Sequence, residues 1–175
     1  MAFGNEPTIR YCGIRDGQVT RKTDAGTDTF DYVEGTLEGV ALTERDFGHQ
    51  PTEMLVVTLR DGDGLIRLST SAHGGVGRSI VLSLAAMDRP GLVKIKPYLN
   101  PRGYNSVAIF ADDRVLRWAE PLADKKDDGN GPDESARRDQ VRRLVKTVSD
   151  RIASWKQAGT DMETKYAATM ADVAF

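Results

Sequence analysis

A mainly β fold, a small Greek-key barrel of five strands with one short helix, is predicted by three observations. Apolar residues alternate with period two in several short runs from Phe30 onward. Turn signals such as "DGDG" separate those runs, and a single internal stretch, "GVGRSIVLSLAAMDRPG", breaks the alternation.

In the first run Val33, Gly35 and Leu37 point one way and Tyr32, Glu34 and Thr36 the other, as a half-buried strand requires. Gly39 offers a bend or bulge before Val40 and Leu42. After the loop "TERDFGHQPTE", the run "MLVVTLR" turns its three apolar alternates, Leu55, Val57 and Leu59, inward, and "DGDG" hands it to "LIRLSTS" as a hairpin. The helix follows, with Ile80, Leu82, Leu84 and Met87 on it, and "RPG" ends it. Two more strands, "LVKIKPYL" and "NSVAIFA", complete the set, the second continuing past a "DD" turn into "RVLRWAE".

Three strands, a helix and two strands in about 90 residues is the connectivity of the OB-fold, whose strand 2–3 face and whose loops 1–2 and 4–5 bind oligonucleotides. The expected organisation is a leader or edge strand over 1–29, the OB barrel over 30–120 and a flexible linker over 121–135. An amphipathic helix over 136–158 and a flexible tail over 159–175 follow. Within the leader a short strand is expected at Ile9–Ile14. The helix carries Val141, Val145, Val148, Ile152 and Trp155 at alternating spacings of four and three, and Gly159 is its expected stop. That stripe suits packing on the barrel or pairing with a second copy.

Composition narrows the function classes. With 24 Lys and Arg against 26 Asp and Glu, the net charge is −2, so any nucleic-acid surface has to come from locally segregated cations. No apolar run approaches the roughly 20 residues of a membrane span, and the first residues lack the basic start and apolar stretch of a secretory signal. Cys12 is the single cysteine, which excludes an internal disulfide and fits a reducing cytoplasm. The two histidines, His49 and His73, form no metal-binding spacing, and Asp61, Asp63, Asp112 and Asp113 read as turn formers. "AHGGVGRS" has Arg78 where a phosphate-binding P-loop needs lysine, and reads as a Gly-rich connection. No catalytic residue, metal or cofactor is expected.

Binding residues are more legible. Between Val93 and Ser106, Lys94, Lys96 and Tyr98 share the outer face of one strand, while Arg102 and Tyr104 lie across its turn. Cations that follow phosphates, interleaved with rings on which bases stack, are what single-stranded nucleic acid requires. Arg45 and Phe47 stand in the other binding loop, and Arg60 and Arg67 flank "DGDG" on the same expected face. Trp118 serves either as a further stacking ring or as a plug of the barrel. Arg137, Arg138, Arg142, Arg143 and Lys146 give the C-terminal helix a basic face.

The sequence closes on Asp172, Val173, Ala174 and Phe175. Here the chain resembles the single-stranded DNA-binding proteins (SSBs) of bacteria and their phages, many of which end in an acidic tip closing on phenylalanine. The resemblance implies sequence-independent binding and protection of single-stranded DNA in replication, recombination or repair. It also implies recruitment of replication or repair proteins through residues 172–175, in the cytoplasm of a bacterial or phage-infected cell. The helix between barrel and tail departs from the bacterial pattern and points to a phage-encoded or divergent member. The rival expectation is an interaction module that dimerises through that helix and binds no nucleic acid.

Overall fold

The computed structural model describes residues 8–48, 50–123 and 133–172, with side chains described as far as 162. The fold is mainly β, with two helices. Its strands are β1 (Ile9–Arg15), β2 (Gln18–Thr23), β3 (Gly26–Phe30), β4 (Val33–Asp46), β5 (Pro51–Asp61), β6 (Gly64–Ser71), β7 (Leu92–Leu99), β8 (Asn105–Ala111) and β9 (Arg114–Val115); helix α1 spans Gly75–Leu84 and α2 spans Glu134–Asp172.

The strands form one open nine-stranded sheet in the order β3-β2-β1-β6-β5-β4-β7-β8-β9, not the closed barrel of five strands expected. The antiparallel ladders β4–β5, β5–β6, β4–β7 and β7–β8 are present. The free side of β6 is taken by β1, which runs parallel to it with Tyr11 beside Arg67, so that β6 and β8 share no ladder. The two ends of the curved sheet nevertheless approach: the Gly17 amide donates to Asn105 Oδ1 at 2.7 Å across the β1–β2 turn.

Residues expected as a leader or edge strand form a hairpin and a third strand built into the sheet, and the short strand expected at Ile9–Ile14 is β1. Asp16 and Gly17 both have positive φ, the geometry of a tight two-residue turn between twisted strands. Val19 on β2 is fully buried and ties this addition to the core. Between Leu37 and Gly39 the β4–β5 register shifts, a bulge that inserts Glu38 and restores Val40 to the inner face. Gly35 is required by packing, since a Cβ there would stand 2.6 Å from the Arg60 carbonyl oxygen. The expected continuation into "RVLRWAE" shrinks to the two residues of β9.

Leu55, Val57, Leu59, Leu68, Val93, Ile95 and Ile109 line the inner face and are almost wholly buried. Helix α1 lies in this core, with Ile80, Val81, Leu82 and Leu84 buried, and Gly77 lets its first turn meet the Ser71 and Ala72 carbonyls. Helix α2 covers what remains. Val141, Leu144, Val145, Val148 and Ile152 are buried with the core, and Trp155 packs against it, so the apolar stripe is occupied within the chain itself.

Polar clips hold α2 in place. Arg151 donates to the Ala85 and Met87 carbonyls at the end of α1, at 2.6 and 2.9 Å, and Lys156 donates to the Glu38 carbonyl at 2.8 Å. Buried Gln140 donates to Glu120 and the Pro121 carbonyl and accepts from the Ala123 amide, which anchors the start of the expected linker; residues 124–132 lie outside the described residues. Gly159 does not end the helix, which continues to Asp172: an internal glycine costs only about 1 kcal/mol relative to alanine. From Lys156 to Met162 every residue is exposed.

Glu53 joins β5 to the turn before α1 and to α2, accepting from His73 and from Arg142. Burial alone raises its pKa, but the hydrogen bonds and charges of His73 and Arg142 outweigh that effect and hold the carboxyl below its usual 4.5. A carboxylate whose folded pKa is depressed stabilises the fold above its unfolded pKa and loses that contribution as pH falls through the folded value.

Thermal unfolding is expected to show stability falling as pH drops below 4.5, the unfolded-state value. Glu53→Gln is expected to be less stable at pH 7 with a shallower acid dependence; an unchanged acid limb in that variant would remove the clip from the account. Ile152→Ala is expected to lose roughly 2 kcal/mol or more in denaturant unfolding, whereas a helix that merely rides on the surface would give a change near zero.

Candidate nucleic-acid interface

The outer face of the sheet is not flat. Across β2, β1, β6, β5 and β4 it holds an open groove of about 720 Å³. Outward side chains in its middle are small: Gly13 on β1, Ser69 on β6, Thr58 on β5, and Ala41 and Thr43 on β4. Small residues on a curved sheet leave a depression, and larger ones around them make its walls. Registered pairs set the rows, Tyr11–Arg67–Thr58 in one, Ser69–Val56–Ala41 in the next and Met54–Thr43 beyond it.

Tyr11 and Lys22 stand at the β1–β2 side, Arg67 between β1 and β5, and Arg45 at the far end of β4. Among the described residues Lys22, Arg45 and Arg67 have no ion-pair partner, while Glu44 is the one acidic residue lining the groove. Tyr11 is 63% exposed and Phe47, just beyond β4, is 57% exposed, with the Arg45 guanidinium 5.8 Å from the Phe47 ring centre. Met54 and Val56 add apolar surface to the floor. The groove thus offers a partly apolar floor, the exposed Tyr11 ring with Phe47 beside its far end, and, among the described residues, three cations without an ion pair. That combination accepts flat apolar rings and neighbouring anions together.

The residues expected from sequence fall into three groups. Arg45 and Arg67 line the groove, and Phe47 stands beside Arg45 just beyond that lining. Arg60 and Lys94 point outward but are committed to carboxylates: Arg60 pairs with Glu38 at 2.9 Å, and Lys94 pairs with Glu34, opposite it on β4, at 2.9 Å and with Asp113 at 3.4 Å. The Lys94 ammonium also lies 5.2 Å from the Tyr32 ring centre. The hydrogen bond that Lys94 donates to Glu34, helped by Asp113, raises the Lys94 pKa.

Lys96, Tyr98, Arg102, Tyr104 and Trp118 form the third group. They are exposed on or after the β7–β8 hairpin, away from the groove's lining. Asn100 Oδ1 accepts from the Arg102 and Tyr104 amides and shapes the hairpin turn. Trp118 is 48% exposed and does not plug the core; the neighbouring Ala119 amide donates to the Leu82 carbonyl. His49 and the tip residues Val173, Ala174 and Phe175 lie outside the described residues, and Asp172 is the last residue of α2.

Helix α2 keeps little of its basic face free. Arg142 pairs with Glu53, Arg143 with Glu120, Lys146 with Asp150 and Arg137 with Glu134. Arg78, expected in a Gly-rich connection, instead lies in the first turn of α1, 3.6 Å from Glu134 of α2. Cys12 lies beneath the groove, and burial pushes its thiol pKa up, which disfavours the thiolate. Among the described residues no three His, Cys, Asp or Glu side chains are grouped to hold a metal, and no helix is long and apolar enough to cross a membrane.

Sequence reasoning missed Tyr11, Gly13 and Lys22. For Tyr11 the signal was the alternation of "IRYCGIR", in which Cys12 and Ile14 face the core and Tyr11 and Gly13 the groove. No protein-family model, curated protein or solved structure matches the chain, so the site is defined by its own geometry.

Because an amine reacts with acylating reagents in its neutral form, Lys94 in Glu34→Gln is expected to be acetylated faster at mildly alkaline pH than Lys94 in the unaltered protein, read by peptide mass spectrometry. Equal rates would show that the Glu34 contact does not hold the charge.

Proposed function

We propose that the protein binds single-stranded DNA with little sequence preference, through the outer groove of the sheet and without catalysis. The observation that carries this reading is the coincidence of three cations that, among the described residues, are free of ion pairs with exposed Tyr11 in one partly apolar groove and Phe47 beside it. Cations following the phosphates and rings stacking on bases at about 1–3 kcal/mol each are the two terms of sequence-tolerant single-strand binding.

Connectivity supports the same reading. Strands β4, β5, β6, β7 and β8, with α1 between β6 and β7, pair in the order of an OB-fold. In that reading the β1–β2 hairpin and β3 are additions that extend the sheet beyond β6. The fold's usual ligand face is that of its second and third strands, here β5 and β6, and the groove lies over both. Its two binding loops correspond to the β4–β5 loop with Phe47 and to the β7–β8 turn with Arg102 and Tyr104. Recruitment of replication or repair proteins by residues 172–175 remains part of the proposal. A dimer formed through the apolar stripe of α2 has less support, because that stripe is covered by the chain's own core.

The test is a fluorescence titration with an oligo-dT of about 30 nucleotides and with duplex DNA of equal length, at several salt concentrations. Binding to dT and not to duplex is expected, with a log–log salt slope of about −2 if three cations meet phosphates at roughly 0.7 each. Arg67→Ala is expected to weaken binding and make that slope shallower, while Lys94→Ala leaves both nearly unchanged. Absence of dT binding at low salt would end the proposal.

A further inference from the structure

Glycine in the middle of a strand weakens it, and it commonly marks either a backbone that needs the conformation or a place where another group comes close. Gly13, in the middle of β1, is not needed for the fold. Its φ is not in the positive range. A Cβ built on it would meet only Thr20 Oγ1 at 3.6 Å and the Ser69 carbonyl oxygen at 3.9 Å, ordinary contact distances. Gly35 differs, since there a Cβ would strike backbone.

Gly13 does, however, face the groove. It stands opposite Thr20 in the β1–β2 ladder and lines the floor together with Ser69 and Val56. Any larger residue at this position would fill the depression between Tyr11 and Met54. We infer that Gly13 is the size-determining position of the groove, and that the bare backbone there receives the face of a nucleobase flanked by the Tyr11 ring. The inference rests on the single-strand reading above and assigns the base, rather than the phosphate, to this part of the floor. Lys22 and Arg67, on the flanking strands, are then placed for the phosphates on either side.

The experiment compares the unaltered protein, Gly13→Ala and Gly13→Val, each for thermal stability and for affinity toward oligo-dT and toward an abasic strand of equal length. Both variants are expected to melt at or above the unaltered protein, because a β-branched residue suits a strand better than glycine. Gly13→Val is expected to bind oligo-dT about tenfold more weakly, the loss of one stacked base, with Gly13→Ala between. Affinity for the abasic strand is expected to be low and the same in all three.

If the unaltered protein binds oligo-dT and Gly13→Val binds it within twofold, the role of Gly13 is refuted while the single-strand reading stands. Equal affinity of the unaltered protein for dT and abasic strands refutes base contact here. Failure of the variants to fold contradicts the open space at Gly13, and failure of the unaltered protein to bind either strand removes both readings.

Discussion

A single curved sheet that does not close on itself has an apolar inner face that must be covered, and the rest of this structure depends on how that is done. Helix α1 fills the hollow, and α2 lays Val141, Leu144, Val148 and Ile152 over what α1 leaves. The polar contacts that hold α2 are directional: Arg151 reaches the carbonyls at the end of α1, and Lys156 reaches the bulge at Glu38. The bulge thus has two effects, returning Val40 to the core and exposing a carbonyl and carboxylate to the helix. With the inner face satisfied by helices, the outer face is free to carry polar and small residues, and the groove lies there.

Charge on the outer surface is sorted by register. Opposite-sign residues directly across a ladder neutralise one another, as Glu34 does Lys94. In the groove the partners of the cations are neutral: Arg67 faces Thr58 and Arg45 faces Thr52. A chain with a net charge of −2 can in this way present a local cationic surface without being basic overall. Lys94 and Arg67 are both half-buried cations, and what separates them is the residue across the ladder, Glu34 for Lys94 and Thr58 for Arg67.

The strands from Val33 onward and the inner residues Val93 and Ile95 were legible because alternating Val, Leu and Ile leave a strong period-two pattern. The N-terminal hairpin was not legible in the same way. "QVTRKT" contains one apolar residue and "GTDTF" buries none fully, so the pattern is faint; moreover, the parallel ladder between β1 and β6 joins segments more than fifty positions apart, with no local signature. The stripe of α2 was visible except for Leu144, but a stripe does not state its partner, and burial against α1 and β4 emerges only from the tertiary structure. Candidate cations were readable as outward-facing; which of them stay free depends on cross-strand registers that composition does not encode. Gly13 was invisible as a site residue because its contribution is an absent side chain.

A single strand bound as proposed lies in the groove over β1, β6 and β5. Amide chemical-shift mapping of the isotope-labelled protein with a short oligo-dT tests this placement most directly. The largest shifts are expected on Tyr11, Gly13, Thr20, Met54, Val56, Arg67 and Ser69, with Lys94 and α2 unaffected. Shifts confined to Lys96–Tyr104 and Trp118, with the groove silent, would contradict it.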